Sequence, residues 1–179
     1  MIRAIDESSR AAGQLLDHAM VSLRADQLEL SPVALRPLVA DRVDRLRPVA
    51  ELKDMDLRFE ASEEQEVMGD TILIQNAVRN LLDNAIKYAP PETPIDVSLT
   101  QEGAGATLTI RDQGIGSPAT GADALTGRFA RGENATGVIG SGLGLTIADE
   151  VARAHGGTLT IANIEGGPGA CVRLSLPLR

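Results

Sequence analysis

The sequence predicts an α/β protein, a two-layer sandwich of helices on a sheet, preceded by an N-terminal helix. Three observations predict it: a heptad pattern at the start, a strongly amphipathic segment over residues 70–88, and alternating apolar and polar runs after that segment. Helices and mixed strands in this order are typical of two layers packed around one core. The 179 residues suffice for one domain and an accessory segment.

The N-terminal helix is predicted over residues 2–23. Apolar and small side chains recur every seven residues, in two series that lie three positions apart, as in a helix that packs against other helices. The series are Ile2, Ser9, Leu16 and Leu23, and then Ile5, Ala12 and Ala19. Leu15 and Met20 widen the stripe, which suits a four-helix bundle or a dimer, while a helix lying on its own domain fits as well. A proline ends the pattern, so we divide the chain into residues 1–27 and 28–179.

The domain after this helix mixes helices with short strands. The predicted helices cover 34–53, 70–88 and 145–155, and the predicted strands cover 57–61, the neighbourhood of Val67, 95–100, 107–111, 158–162 and 170–176. The helix over 70–88 has the strongest signal, with Asp70 as its N-cap. Its predicted buried stripe consists of Ile74, Ala77, Val78, Leu81, Leu82 and Ala85. The third and fourth strands form a predicted hairpin joined by EGAG.

Charge and composition exclude several classes of function. The formal net charge is −8, from 17 basic and 25 acidic residues, which argues against a nucleic-acid-binding protein that needs a broad basic face. A single cysteine, Cys171, allows neither a disulfide framework nor a cysteine-ligated zinc site. No apolar run approaches the roughly 20 residues that cross a bilayer, and the start lacks the apolar core of a signal peptide. We therefore expect a soluble chain without a nucleic-acid partner.

A row of asparagines follows one flank of the helix over 70–88. Its members are Asn76, Asn80 and Asn84, with Lys87 and Tyr88 closing the flank. Spacings of three and four residues place them on one helix face. Asparagine is a poor helix former, so a solvated surface would more naturally carry Glu, Lys or Arg. Because an amide oxygen is a competent magnesium ligand, the row favours a binding face over a plain polar surface.

A carboxylate at the end of a predicted strand is the second candidate. Alternation places Asp112 on the same face as Leu108 and Ile110, toward the core. A buried carboxylate is costly unless it accepts hydrogen bonds, which an amine of a ligand or an internal arginine would supply. Gly114 and Gly116 follow at once and let the backbone approach a ligand closely.

A glycine-rich stretch over residues 132–144 ends where the helix over 145–155 is predicted to begin. Free N–H groups and the positive helix end make such a place an anion site, although a flexible surface loop fits as well. The stretch matches neither the G-x-x-x-x-G-K-[ST] phosphate loop nor the G-x-G-x-x-G fingerprint. Arg128 and Arg131 precede it and would offset phosphate charge.

Four motifs in order closely resemble the catalytic ATP-binding domain of bacterial sensor histidine kinases. They are NLLDNAIKY (80–88), DQGIG (112–116), LTGRFARG (125–132) and GSGLGL (140–145), similar to the N, G1, F and G2 boxes of that family. The resemblance covers roughly residues 28–179, and the preceding helix resembles the second helix of the family's dimerisation and phosphoacceptor hairpin. It implies the Bergerat fold shared with gyrase, Hsp90 and MutL: a mixed sheet backed by helices, with ATP between the N-box helix and a lid.

The resemblance also implies roles for individual residues, with ATP and Mg²⁺ as the ligands. Asn84 would be the magnesium ligand, with Asn80 beside it in the metal and phosphate network. Asp112 would accept from the adenine amino group, Tyr88 would pack on adenine and Lys87 would meet phosphate. The other implied nucleotide-binding residues are Gly114 and Gly116 beside the base, Arg128 and Arg131 toward the terminal phosphate, and Gly140, Gly142, Leu143 and Gly144 at the phosphates. Asn84 and Arg131 would be the catalytic pair.

The chain departs from the family pattern in two boxes, and it lacks the family's acceptor motif. Thr126 stands where the F box usually has Phe, and Ser117 where an aliphatic residue usually follows the G1 glycines. The acceptor histidine of the family is normally followed by an acidic residue, but His18 is followed by Ala19. His155 ends a predicted helix and is expected to be structural. We therefore interpret the chain as a catalytic half without its own acceptor, either an excised piece of a longer kinase or a natural split kinase.

The implied reaction is transfer of the ATP γ-phosphoryl group to an imidazole nitrogen, with magnesium and Arg131 stabilising the developing charge. The implied partners are an acceptor histidine hairpin, a response regulator receiver domain and, in the full-length protein, a second copy. We expect this portion to be cytoplasmic and its full-length parent to be anchored in the inner membrane. Two alternatives stay open: an anti-sigma-factor-type serine kinase, and an interaction module that binds ATP without phosphoryl transfer.

Overall fold

The computed structural model describes residues 13, 19–25, 27–116 and 143–179. The named helices in these ranges are α1 (Leu35–Glu51), α2 (Thr71–Tyr88) and α3 (Leu143–Ala154). The strands are β1 (Ser31–Ala34), β2 (Leu57–Ala61), β3 (Glu66–Gly69), β4 (Ile95–Glu102), β5 (Gly105–Arg111), β6 (Thr158–Asn163) and β7 (Ala170–Pro177). Residues 19–25 are helical as well.

A mixed five-stranded sheet carries the fold, with the strand order β2-β4-β5-β7-β6. β2 runs parallel to β4, with Leu57 opposite Ile95, whereas the other neighbours in this sheet are antiparallel. Parallel strands need a crossover connection, and α2 lies in the segment that joins β2 to β4. β1 and β3 form a separate antiparallel pair, with Val33 opposite Val67.

The core lies between the helices and one face of the sheet. In β4 the buried side chains of Ile95, Val97 and Leu99 alternate with more exposed ones, so this strand buries a single face. Residues of α1 and α2 meet the same strand around a small apolar cavity, which Val39, Val78 and Leu99 help to line. This arrangement confirms the predicted two-layer α/β sandwich.

Helix α2 forms where its sequence pattern predicts it. The Asp70 carboxylate caps it by accepting from the backbone N–H of Ile72 at 3.0 Å and of Leu73 at 3.2 Å. All six residues of its predicted apolar stripe are buried. The helix ends at Ala89, whose extended backbone suits a residue that precedes a proline.

Three element boundaries differ from the sequence-based expectation. A strand, β1, occupies the segment where proline was expected only to break a helix; it is four residues long and buries Val33, and a short edge strand tolerates proline. The hairpin strands β4 and β5 leave a tighter turn than EGAG, because Gly103 adopts a φ of +60°. Helix α3 includes Leu143 and Gly144, which precede its expected start at residue 145.

The helical residues 19–25 dock on the domain. Val21 is fully buried in the common core, and the Ser22 hydroxyl donates to the Glu150 carboxylate of α3 at 3.4 Å. Met20 and Leu23 remain 59% and 68% exposed. The docked side therefore carries Val21, which the predicted stripe does not include, whereas its described members Ala19, Met20 and Leu23 are exposed. Leu15 and Leu16 lie outside the described residues.

His155 joins the ends of two helices, as its expected structural role requires. Its Nε2 accepts from the backbone N–H of Asp70 at 2.9 Å, just before α2. Its Nδ1 lies 2.7 Å from the carbonyl oxygen of Val151 in α3. A ring with one accepting and one donating nitrogen satisfies both contacts, which fixes the orientation of the imidazole.

We expect Leu82→Ala to lower the free energy of unfolding by about 2–5 kcal/mol, because truncating a fully buried leucine removes apolar contact and leaves a cavity. Leu52→Ala is the matched control, since Leu52 is 86% exposed and its truncation should change that free energy by less than about 0.5 kcal/mol. Urea denaturation followed by circular dichroism measures both, and equal losses would contradict the packing described.

Candidate functional site

The asparagine flank of α2 lies at the edge of its buried face. Asn80 is only 4% exposed, while Asn76 and Asn84 are half-buried. The Asn80 side chain donates from Nδ2 to the carbonyl oxygen of Asn76 at 2.8 Å. This bond within the helix fixes the amide plane of Asn80 and leaves its Oδ1 to face the neighbouring helix.

Gly144 of α3 fits closely against these amides. A Cβ atom at Gly144 would lie 3.2 Å from both Oδ1 and Nδ2 of Asn84, and 3.5 Å from Oδ1 of Asn80. The absence of a side chain thus lets the start of α3 approach the amide pair. The structure brings together Asn80, Asn84 and Gly144, as the sequence predicts.

Asp112 occupies a buried turn directly after β5. The residue is 7% exposed, and its Oδ1 accepts from the backbone N–H of Gly114 at 2.8 Å and of Ala170 at 3.3 Å. Burial raises the pKa of the Asp112 carboxyl, and the two backbone N–H donors offset part of that rise. The predicted inward orientation of Asp112 is confirmed.

Gly114 connects the Asp112 turn to the end of α2. A Cβ atom at Gly114 would lie 2.6 Å from the carbonyl oxygen of Tyr88 and 2.8 Å from Oδ1 of Asp112, closer than non-bonded atoms allow. Only glycine permits this contact. As a result, the Asp112 carboxylate and Tyr88 lie on adjoining segments.

Lys87 and Tyr88 form a pair at the end of the asparagine flank. The Lys87 Nζ lies 4.9 Å from the centre of the Tyr88 ring, a cation–π distance. Both residues are half-buried. The flank thus carries amides along its length, and an ammonium and an aromatic ring at its end beside the Asp112 turn.

Sequence analysis missed three residues that shape the site. Gly169 adopts a φ of +113°, and a Cβ there would collide with the carbonyl oxygen of Asp112. Asn163 approaches Gly116, where an added Cβ would lie 2.8 Å from its Oδ1. Lys53 donates to the carbonyl oxygen of Ile86 at 2.7 Å and so binds the last turn of α2. The sequence GGPG at residues 166–169 does predict a turn. Any hairpin turn has a similar pattern, however, so it does not indicate that Gly169 approaches Asp112.

Four of the predicted nucleotide-binding residues lie outside the described residues: Arg128, Arg131, Gly140 and Gly142. Leu143 is 3% exposed and belongs to the hydrophobic core. Gly116 adopts a φ of +74°, which requires glycine at that turn. The described part of the site therefore consists of the α2 flank, the start of α3 and the Asp112 turn.

The amide oxygens where α2 contacts the start of α3 are a donor set that fits a magnesium ion. Magnesium takes oxygen ligands and usually keeps several waters or phosphate oxygens, so one or two protein ligands suffice. Asn84 and Asn80 have amide oxygens close to Gly144, where the start of α3 carries no side chain. Within the described ranges, no group of three or more His, Cys, Asp or Glu side chains forms a metal site.

The chain is similar to known proteins over most of its length. Residues 69–179 match the family described as histidine kinase-, DNA gyrase B- and HSP90-like ATPase. The sensor-like histidine kinase SenX3 of Mycobacterium tuberculosis is 33% identical over 152 residues, which cover 83% of this chain and 36% of SenX3. The signal transduction histidine-protein kinase/phosphatase MprB of Mycolicibacterium smegmatis is 35% identical over 182 residues, which cover 99% of this chain and 36% of MprB.

Solved structures show the same fold. The mycobacterial sensor histidine kinase MprB superimposes with a TM-score of 0.71 at 30% identity, over 84% of this chain and 99% of that chain. The nucleotide-free catalytic domain of the histidine kinase ThkA superimposes with a TM-score of 0.67 at 20% identity, over 83% of this chain and 95% of that chain.

The chain spans about a third of the length of the curated relatives it matches. In the part of the chain that the structure describes, every helix is too short or too polar to cross a membrane.

We expect Asp112→Asn to be more stable than the wild type at neutral pH, because the amide keeps both backbone hydrogen bonds and carries no charge to bury. The folded-state pKa of Asp112 is raised, so its ionised form costs stability above that pKa, and protonation removes the cost as the pH falls through it. The stability difference between the variant and the wild type should therefore shrink toward acid pH. Asp96→Asn, at an exposed position, should show no such gain in parallel urea titrations at several pH values.

Proposed function

Because the chain belongs to the family of histidine kinase-, DNA gyrase B- and HSP90-like ATPases, we propose that it is the ATP-binding catalytic portion of a sensor histidine kinase. In this role it transfers the γ-phosphoryl group of ATP to a histidine on a separate acceptor segment. The observation that carries the proposal is the buried Asp112 carboxylate, held by two backbone N–H groups in a turn that packs against the end of the asparagine-bearing helix.

The adenine site is proposed at the Asp112 turn. Both backbone donors reach Oδ1 of Asp112, so Oδ2 is the oxygen that would accept from the adenine amino group. Tyr88 would pack on the base, because its backbone lies against Gly114 of the same turn. Gly116 gives the base room. The amino group would thereby satisfy a carboxylate whose burial is otherwise costly.

The phosphates are proposed to lie between α2 and the start of α3. Asn84 would hold magnesium through its amide oxygen, with Asn80 beside it, and Lys87 would meet phosphate. Gly144 gives the phosphates access to the positive end of α3. The other phosphate contacts come from the resemblance alone: Arg128, Arg131, Gly140, Gly142 and Leu143.

The transfer step requires little covalent chemistry from the protein. A lone pair of an acceptor imidazole nitrogen attacks the γ-phosphorus, the bond from that phosphorus to the bridging oxygen breaks, and ADP leaves. The attacking nitrogen is the unprotonated one of a neutral imidazole, and the proton on the other ring nitrogen then passes to water or a general base of the acceptor segment. Bound magnesium supplies charge compensation for the phosphate oxygens. Asn84 and Arg131 are the catalytic residues of the proposal, since both would act at the phosphates.

The partners and the organisation of the parent protein belong to the same proposal. Residues 1–27 would be the second helix of a dimerisation hairpin and residues 28–179 the catalytic domain. The acceptor histidine would lie on that hairpin or act in trans, and a response regulator receiver domain would take the phosphoryl group from it. The parent would be a membrane-anchored homodimer with this portion in the cytoplasm.

We expect the chain to bind Mg–ATP, and Asp112→Asn to weaken that binding by about 10- to 100-fold, the usual effect of losing a hydrogen bond to a charged group. An asparagine would keep its Oδ1 on the two backbone donors and turn an N–H group toward the adenine amino group, so two donors would face each other. Titration calorimetry measures both affinities, with Asp96→Asn as the control. An unchanged affinity in Asp112→Asn would place adenine elsewhere.

We expect labelled ATP to leave the chain alone unphosphorylated and to label an added acceptor hairpin with an acid-labile, base-stable phosphoryl group. Asn84→Ala should abolish the transfer, because charge compensation at the phosphates is lost. Arg131→Ala should slow the transfer while ATP binding largely survives. Asp83→Ala changes an exposed neighbour of Asn84 on the same helix and serves as the control.

Other products of this assay would identify the alternatives. Acid-stable phosphoserine on an added partner would indicate the anti-sigma-factor-type kinase. ATP binding without transfer to any acceptor would indicate an interaction module. Strong labelling of His18 in the chain alone would contradict the role proposed for residues 1–27.

A further inference from the structure

Helices α2 and α3 pack as an antiparallel pair, and different residues form the contacts at its two ends. At one end, Asn84 of α2 meets Gly144 at the start of α3. At the other end, Asp70 immediately before α2 meets His155 immediately after α3. The proposed nucleotide site lies at the first end. Contacts that fix the two helices at the second end therefore also affect the distance between them at the first end.

Asp70 is the centre of the second end. Its carboxylate is 1% exposed. Oδ1 caps α2 through two backbone N–H groups, and the backbone N–H of Asp70 donates to His155 at 2.9 Å. His155 in turn contacts the carbonyl oxygen of Val151 at 2.7 Å. One residue therefore ties the start of α2 to the last turn of α3.

Arg24 supplies the counter-charge for this buried carboxylate. Its Nε donates to Oδ2 of Asp70 at 2.6 Å, while its side chain is 34% exposed. A more distant contact, 4.0 Å from Nη2, reaches the exposed carboxylate of Glu29. Removing the partner of a buried charge is strongly unfavourable, so Arg24 helps to hold the Asp70 carboxylate in its buried position.

Arg24 belongs to the helical residues 19–25, outside the sheet and its three helices. Val21 of the same turn is fully buried, and Ser22 donates to Glu150 of α3. This short helix therefore reaches α3 through Ser22 and the start of α2 through Arg24. Its position is mechanically connected to both helices of the nucleotide site.

We propose that Arg24 is a positioning residue for the nucleotide site: by pairing with Asp70 it holds one end of the α2–α3 pair together and so sets the distance between Asn84 and Gly144 at the other end. The distance from Asp70 to Asn84 is about 21 Å along the helix, at about 1.5 Å per residue. Gly144 and Asn84 are close enough that a Cβ atom added at Gly144 would lie only 3.2 Å from the Asn84 amide. Small changes at the Asp70 end are therefore expected to alter metal and phosphate contacts.

The test measures Mg–ATP affinity at a temperature where every variant is fully folded by circular dichroism. Arg24→Met keeps the length and the apolar stem of the side chain but removes the charge, and it should weaken affinity by about 3- to 30-fold, the usual range for coupling through a packed network. Arg24→Lys restores a cation and should recover most of the loss. Arg45→Met breaks an exposed pair with Asp41 and should leave the affinity unchanged.

A double-mutant cycle with Asp70→Asn separates positioning from general stability. Asparagine still caps the helix but needs no counter-charge, so Arg24→Met should have little further effect on affinity in that background. Additive losses in the cycle would overturn the proposal, as would an Arg24→Met protein that is less stable but binds Mg–ATP like the wild type. If Arg24→Met does not fold, Arg24→Gln, which keeps a donor for Asp70 without the charge, replaces it with the same expected direction.

The inference rests on the proposed function, because its readout is nucleotide affinity. A wild-type chain that binds no Mg–ATP would overturn both. A wild-type chain that binds Mg–ATP, together with an Arg24→Met variant of equal affinity, would overturn the role of Arg24 alone and leave the ATP site standing.

Discussion

The packing of α2 against α3 is the constraint on which the rest of the structure depends. α2 buries one face in the core and presents amides on the adjoining flank, so the helix can carry function only at the border of its buried stripe. Gly144 lets α3 approach that border closely. The Asp112 turn is placed by the same helix, because Gly114 lies against the carbonyl oxygen of Tyr88. The candidate site therefore assembles only when this helix is fully packed.

Two buried carboxylates in this fold, Asp70 and Asp112, differ in the hydrogen-bond donors around them, and this difference separates a structural carboxylate from a candidate ligand-binding one. Asp70 receives two backbone N–H groups on one oxygen and a guanidinium on the other, so its charge is compensated within the protein. Asp112 receives two backbone N–H groups on one oxygen, and its raised pKa shows that burial outweighs them. A carboxylate in this condition gains most from an outside donor. In the proposed function, the adenine amino group would offset the stability cost of burying this carboxylate.

Features encoded by local pattern could be predicted from the sequence. The 3.6-residue period of α2 identified its buried stripe, and the preference of aspartate for N-caps identified Asp70. The two-residue period of β5 gave the inward direction of Asp112. The asparagine row was visible because asparagine is unfavourable inside a helix. Each of these inferences needs only residues that lie within one or two turns of each other.

Contacts between distant segments could not be predicted in this way. Arg24 and Asp70 are 46 residues apart, and a chain with 17 basic and 25 acidic residues allows many pairings of equal plausibility. Gly169 stands in an ordinary turn by its sequence, yet that turn lies so close to Asp112 that a Cβ at Gly169 would collide with the Asp112 carbonyl oxygen. β1 forms because it pairs with β3, where Val33 lies opposite Val67. Local periodicity determines which face of a segment is buried, whereas the segment that packs on that face depends on the tertiary fold of the whole chain. The Asp112 turn and the Arg24–Asp70 pair both depend on such contacts between distant segments.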